Sequence, residues 1–279
     1  MTAVGPGTNA GWVVVGETRT RYLEAGSGRP IVLLHGSGPG VSGLVNWRLA
    51  LPALGERFRV LAPDLVGFGE TEVRGQVEAR LDTWVGHVAG FIEALALGRV
   101  DLVGNSMGGA VALGLAARRP QLVRRVVTMG TVGVPFPITE GLDRVWGYRP
   151  SLEAMRALIG LFTYDPSFAR DEELVRLRFE ASAHPVASER YASLFPAPRQ
   201  RWVDALALAD GELAELRQPV LLIHGLEDRV IPWRATSLRI ARLVPDARLC
   251  LFPRCGHWVQ IERADEFHGL VRWFCSEAR

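Results

Sequence analysis

A chain of 279 residues, 48% of them hydrophobic, is long enough to bury the core of one large α/β domain, or of one domain carrying an insertion. Its 32 basic and 30 acidic residues leave a net charge of +2, so the balance shows neither a nucleic-acid nor a membrane footprint. Every basic residue is arginine, which excludes Schiff-base lysine chemistry and the lysine of a phosphate-binding loop; Cys250, Cys255 and Cys275 are few, late and without metal spacing, and read as reduced cytosolic thiols.

Met1 to Val15 has no basic start followed by an apolar core, so it does not read as a signal peptide, and no apolar run has the length of a membrane span. The expected compartment is the cytoplasm. Trp12 to Tyr22, rich in Val, Thr and aromatic residues and broken at Gly16-Glu17, predicts an opening hairpin. Ile31 to Leu34 is a short continuous apolar run, as expected of a strand buried on both faces. It leads into His35-Gly36-Ser37-Gly38-Pro39-Gly40 and a helical pattern over Asn46 to Leu54. Phe58 to Ala62 predicts the next strand, followed by Pro63-Asp64 and Gly67-Phe68-Gly69, and Thr83 to Leu97 has helical spacing. A strand at Val100 to Val103, a Gly-rich turn, a helix and a strand at Val123 to Met129 complete an alternation that predicts a mostly parallel central sheet with helices on both faces.

From Gly133 to about Leu206 the rhythm breaks: prolines recur, helical patterns run over Leu152 to Leu161 and Glu172 to Ala183, and no strand is evident. This stretch is expected to be a helical cap inserted after the sixth strand, with residues 133–206 as cap and 1–132 plus 207–279 as core. The sheet resumes at Val220 to Ile223, with a helix at Trp233 to Leu243, a strand at Ala247 to Phe252 and a closing helix from Asp265 to Cys275.

Gly104-Asn105-Ser106-Met107-Gly108 is a G-x-S-x-G motif between strand and helix. Glycines two residues either side of a sharp strand-to-helix turn avoid collision, and the turn lifts the Ser hydroxyl to the helix N-terminus. The motif is weak alone, since an ordinary Gly-rich loop has the same look. It gains weight from Asp228, in the loop after the Val220 strand, and His257, in the loop after the Ala247 strand, because reactive groups in open α/β sheets gather at the strands' C-terminal ends. The order Ser106, Asp228, His257 is that of an α/β-hydrolase: imidazole deprotonates a poor nucleophile and carboxylate fixes the imidazole. Glu227 competes with Asp228, which fits the loop pattern better. His224 reads as a satisfied core residue, His35 as a brace for its loop, and His87 as solvent-facing or packed on a helix; His184 and His268 fall in cap and terminal helices. The oxyanion hole needs two backbone N–H groups, expected from Met107 and Ser37.

Taken together, His35 to Gly40, Asn46-Trp47, Pro63 to Gly69, Gly104 to Gly109 and Arg254-Cys255-Gly256-His257-Trp258 resemble the meta-cleavage product hydrolases, serine-type α/β-hydrolases that cut a carbon–carbon bond in ring-fission products of catechols. The segments Phe136 to Asp143 and Phe195 to Trp202 resemble the branch acting on 2-hydroxymuconate semialdehyde and small 6-alkyl dienoates. The resemblance covers Gly11 to Phe274. It implies hydrolysis of the C5–C6 bond of a 2-hydroxy-6-oxohexa-2,4-dienoate, with no metal and no organic cofactor. It also implies that Arg178 binds the substrate carboxylate and Trp258 lines the polar pocket. Unaided, Arg178 would read as a solvated helix residue paired to Glu180 or Glu173, and Trp258 as packing. Asn46 and Asn105 are two of only three asparagines; beside the nucleophile, an amide offers donor and acceptor to an enol or keto oxygen, or else braces the loop. Leu142, Trp146 and Val230 are expected to line the acyl side. The expected partner is a small-molecule substrate, with no nucleic acid and no membrane, and the chain is expected to be a homo-oligomer, a dimer or larger. A generic carboxylesterase or lactonase, or a non-enzymatic ligand receptor, are the alternatives on the same residues.

Overall fold

The computed structural model describes residues 7–277, so the first six residues of the Met1–Val15 stretch lie outside the described residues. The predicted opening hairpin forms as β1 (Thr8–Val15) and β2 (Thr18–Ala25), followed by β3 (Pro30–Leu34). The single helix expected over Asn46 to Leu54 is instead α1 (Gly43–Trp47) and α2 (Ala50–Gly55). Pro52 explains the break: it has no N–H for the carbonyl of Arg48, and its ring excludes that carbonyl. Next come β4 (Arg59–Pro63), α3 (Leu81–Ala94), β5 (Val100–Asn105), α4 (Met107–Arg118) and β6 (Val123–Met129).

Only helices occur among the described residues between β6 and the next strand: α5 (Glu140–Trp146), α6 (Leu152–Phe162), α7 (Ser167–Arg170), α8 (Glu172–Ala183), α9 (Pro185–Leu194), α10 (Gln200–Ala205) and α11 (Asp210–Ala214). Of these α6 and α8 are the two with readable periodicity; the others are shorter. Ser151 and Asp171 cap α6 and α8 by accepting from Ala154 and Leu174 N–H. The chain closes with β7 (Val220–Gly225), α12 (Ser237–Leu243), β8 (Ala247–Phe252), α13 (Val259–Glu262) and α14 (Ala264–Ser276). The helix expected from Trp233 starts at Ser237, because Pro232 O first takes the N–H groups of Ala235 and Thr236 in a tight turn.

The eight strands form one sheet in the order β1-β2-β4-β3-β5-β6-β7-β8. The β1–β2 and β2–β4 pairs are antiparallel and every later pair is parallel. Alternate residues of the apolar strands feed cores on opposite faces: Val32, Leu34 and Leu102 pack with α3 and α4, while Leu33, Val103 and Val127 pack with α2 and α14. On α3, Leu81, Trp84, Val85, Val88, Phe91 and Ile92 follow the 3.6-residue period and are buried. Each such side chain contributes about 1.5–3 kcal/mol relative to exposure. Among the described residues no helix is long and apolar enough to cross a membrane.

Two buried histidines brace the turn that follows β4. His35 Nδ1 lies 2.7 Å from Gly36 O and so carries hydrogen, leaving Nε2 to accept from Leu65 N–H at 2.9 Å. His87 is buried on α3 rather than facing solvent; its Nδ1 accepts from Val66 N–H at 3.3 Å, which leaves Nε2–H for Thr20 Oγ1 at 2.8 Å. Burial lowers both from the ordinary 6.5 to about 4, with the neighbouring His35 adding to the effect on His87. Asp64 accepts from Gly43 N–H at 2.7 Å and Glu70 N–H at 2.8 Å, yet burial pushes its carboxyl from 3.8 up to about 6.

These shifts contribute to the acid stability. Between pH 6.5 and about 4 the unfolded chain takes up protons that the two folded histidines refuse, so their contribution is complete above 6.5 and lost as the pH falls. Asp64 acts oppositely, its contribution complete below 3.8 and lost as the pH rises through about 6. Two histidines against one carboxyl leave a net loss on acidification, on the order of 4 kcal/mol. His87→Gln is expected to flatten the pH dependence of the urea midpoint between pH 6.5 and 4.5; a slope equal to that of the parent chain would mean His87 titrates normally in the fold.

Candidate active site

Ser106 sits between β5 and α4 with φ 54° and ψ −116°, a conformation that costs a non-glycine residue about 1–3 kcal/mol. Its N–H donates to Met129 O at 2.9 Å, tying the turn to β6. The turn exists because two flanking positions have no side chain. A Cβ on Gly104 would stand 2.2 Å from Gly108 O, and one on Gly108 would stand 2.2 Å from Leu34 O. Helix α4 therefore rides directly on β3 and β5, with its first N–H groups turned towards Ser106. Among the described residues neither Met107 N–H, at the first position of α4, nor Ser37 N–H, in the loop after β3, donates to a protein acceptor.

Asp228, in the loop after β7, lies against His257, in the loop after β8, with His257 Nδ1 2.7 Å from Asp228 Oδ2. Glu227 points elsewhere and accepts from Cys255 N–H at 3.0 Å. The side chain of Asp228 is fully buried and accepts four hydrogen bonds. Val230 and Ile231 N–H reach Oδ1 at 2.8 and 2.9 Å, and His224 Nε2 joins His257 at Oδ2, 3.0 Å away. Burial alone would raise this carboxyl; the charge of His257 and the hydrogen bonds from both histidines outweigh it and hold it far below the usual carboxylate range. Ser106 and His257 line one narrow cavity of about 20 Å³ without a direct hydrogen bond between them. The roomier clefts, of about 570 and 580 Å³, lie against α14 and between β2 and α9, away from this chemistry.

The same cavity brings together Ser37, Asn46, Asn105, Leu142, Arg178, Val230 and Trp258. Asn105 both faces the cavity and braces its loop, its Nδ2 donating to Met129 O at 3.2 Å. Asn46 is held by α1, whose first residue Gly43 is fastened to Asp64; its Nδ2 is buried without a partner. Arg178 is neither solvated nor paired to Glu173 or Glu180. It is 5% exposed, no carboxylate among the described residues lies within ion-pair distance, and its Nε is unpartnered. Its Cζ lies 5.0 Å over the Trp258 ring. Burial, together with the charge of Arg48, lowers its guanidinium to about 10.

Trp146 departs from the expectation. It does not line this cavity; its ring stacks on Phe195 with centroids 4.6 Å apart and its Nε1–H donates to Ser37 Oγ at 2.9 Å. The helical repeat of α5 turns Leu142 and Val145 to the cavity instead. Two further groups had no readable signal in the sequence. Phe162 of α6 stacks on Trp258 at 4.6 Å and His257 at 5.8 Å, and His224 grips Asp228. Among the described residues no group of three or more His, Cys, Asp or Glu side chains is disposed to hold a metal ion.

The chain matches the family model described as alpha/beta hydrolase fold over residues 29–264. It is 51% identical over 264 residues to the 2-hydroxy-6-oxo-2,4-heptadienoate hydrolase of Pseudomonas putida F1, covering 95% of each chain. It is 48% identical to the 2-hydroxymuconate semialdehyde hydrolase of Pseudomonas sp. CF600, over 95% of this chain and 93% of the relative. Among solved structures it superposes on a meta-cleavage product hydrolase from Pseudomonas fluorescens IP01, a serine-to-alanine variant complexed with acetates. The TM-score is 0.94 and the identity 46%, covering 96% of this chain and 98% of the other.

The Trp146–Ser37 bond fixes the loop that carries the free Ser37 N–H, and it is testable. Trp146→Phe keeps the ring stack and removes the donor; a neutral hydrogen bond contributes about 0.5–1.5 kcal/mol, so kcat/KM on a nitrophenyl ester is expected to fall about 2- to 10-fold at unchanged Tm. Unaltered turnover would show that Ser37 is held without Trp146.

Proposed function

The chain belongs to the α/β-hydrolase family, and within it to the meta-cleavage product hydrolases, and from that premise we propose that it hydrolyses the C5–C6 bond of 2-hydroxymuconate semialdehyde or a small 6-alkyl 2-hydroxy-6-oxohexa-2,4-dienoate. The observation that carries the reading is Arg178: a buried guanidinium without a carboxylate of its own, lining the same cavity as Ser106 and His257. A permanent substrate carboxylate, remote from the scissile bond, gives that charge its partner, and guanidinium binds it through parallel hydrogen bonds. Asn46 supplies a further donor in this cavity, and Trp258 supports the guanidinium face.

The dienol is first ketonised, with Asn105 beside the oxygen that changes, so that the C5 fragment becomes a competent leaving group. His257, fixed by Asp228, then takes the Ser106 proton, and the C6 carbonyl is attacked through Ser106. Met107 and Ser37 N–H hold the oxyanion. Water completes the hydrolysis, giving 2-hydroxypenta-2,4-dienoate and a small acid. Leu142 and Val230, with Val145, wall the acyl side. Residues 133–206 form the cap and 1–132 plus 207–279 the core, supported by the purely helical run from α5 to α10 and by cavity-lining residues drawn from both. The enzyme works in the cytoplasm as a homo-oligomer, without metal or organic cofactor. A generic carboxylesterase or lactonase needs the triad but has no use for a buried carboxylate clamp, and a non-enzymatic receptor has no use for a positioned base.

The test follows bleaching of the yellow dienolate with hydrogen, methyl, isopropyl and phenyl at C6. Hydrogen and small alkyl are expected to give the highest kcat/KM, since overfilling a packed pocket costs about 1–3 kcal/mol. Ser106→Ala is expected to abolish cleavage while folding is retained. A phenyl optimum, or wild-type turnover in that variant, would overturn the assignment.

Arg178→Gln separates this reading from the esterase. A charge-assisted hydrogen bond is worth about 1.5–3 kcal/mol, so dienoate kcat/KM is expected to drop at least about 10- to 100-fold, with nitrophenyl acetate hydrolysis nearly unchanged. Equal losses on both substrates would make Arg178 structural.

A further inference from the structure

Asp228 is gripped by two imidazoles, and the triad uses only one. His224, the penultimate residue of β7, is fully buried, and its ring is fixed at both nitrogens. Nε2 lies 3.0 Å from Asp228 Oδ2 and 3.1 Å from Ile231 O, while Nδ1 lies 2.7 Å from the hydroxyl of Ser237, itself fully buried at the start of α12. A carboxylate and a carbonyl can only accept, so Nε2 must carry hydrogen. The Ser237 hydroxyl can then turn its own hydrogen to Nδ1, completing a chain Ser237–His224–Asp228–His257. We propose that His224, backed by Ser237, is a positioning residue that shares the Asp228 carboxylate with His257 and sets how strongly that carboxylate holds the protonated base.

Two donors compete for Oδ2. The hydrogen bond from His224 draws charge from this oxygen, so less is left to stabilise the imidazolium of His257. It also works with the Val230 and Ile231 N–H groups on Oδ1 to hold the carboxylate in a single orientation. Without His224, Oδ2 turns wholly to His257, which then keeps its proton to higher pH and is a base over a narrower range. Other charged or titratable groups lie around His257 besides Asp228 and His224. They are Glu227 and Glu262, which accept from Cys255 and Gly256 N–H, the Cys255 thiol, and Arg178 over Trp258.

The inference rests on the triad reading, so its test has an arm that needs no substrate. In wild-type protein with ¹⁵N-histidine, NMR is expected to show His224 at neutral pH with a protonated Nε2 and an unprotonated Nδ1; the reverse tautomer overturns the proposal. In kinetics, His224→Leu is expected to move the acid limb of kcat/KM upward by about 0.5–1 pH unit, on dienoate and nitrophenyl ester alike, with His257 in the NMR titration moving by the same amount. His224→Gln places an amide N–H near the lost Nε2–H and is expected to restore the limb to within about 0.2 unit. A merely structural residue would lower kcat or Tm and leave the limb where it was, which overturns the proposal, as does a Gln variant shifted as far as the Leu variant. If His224→Leu does not fold, Ser237→Ala replaces it; it weakens the same chain from its far end and is expected to shift the limb upward by less. Failure of the triad reading itself would show separately, as Ser106→Ala turning over both substrates.

Discussion

The site depends on the closeness of α4 to β3 and β5. At Gly104 and Gly108 the backbones approach to distances that leave no room for even a methyl group, and that approach forces Ser106 into a positive-φ conformation. The strain is borne because the Ser106 N–H is bonded to β6 and the helix behind it is buried along nearly its whole length. Lifting the hydroxyl off the sheet and aiming free helix N–H groups at it are one geometric event. Any residue that pushed α4 outward would lose both.

Around this turn the chain treats its buried charges in two opposite ways. Asp228 has four donors and nothing left to bind, which suits a group that must hold one orientation through a reaction. Arg178, as deeply buried, has an aromatic face beneath it and an unpartnered Nε. Burying a cation without a counter-charge is expensive, and this one lines the same cavity as Ser106 and His257. Asn46 repeats the pattern beside it on a smaller scale.

The helices between β6 and β7 are joined to this chemistry rather than laid over it. Phe162 stacks on His257 and Trp258, Trp146 holds the Ser37 hydroxyl, and Arg229, next to Asp228, donates to the carbonyls of Gly160 and Thr163 at the end of α6. Gly141 of α5 is pressed against Arg229 O so closely that a Cβ would overlap it. The loops of His257, Asp228 and Ser37 each touch this helical segment, so its position and theirs are mechanically linked.

Local patterns in the chain determined most of the architecture. Apolar runs bounded by Gly and Pro marked the strands, the 3.6-residue period marked α3, α6, α8 and α14, and strand-end loops marked Ser106, Asp228 and His257 as side chains that the fold brings together, because each of these signals is written in adjacent residues. What the tertiary structure alone decided lies between segments distant in sequence. Pairing of Asp228 rather than Glu227 with His257, the turning of Trp146 away from the cavity to Ser37, the stack of Phe162 on His257 and the grip of His224 on Asp228 all depend on rotamers and inter-element distances that composition and periodicity do not encode. Arg178 is the clearest case. Among 32 basic residues, all arginine, nothing local distinguishes it, and only packing of α8 against Trp258 turns an ordinary helix residue into a buried, unpaired cation.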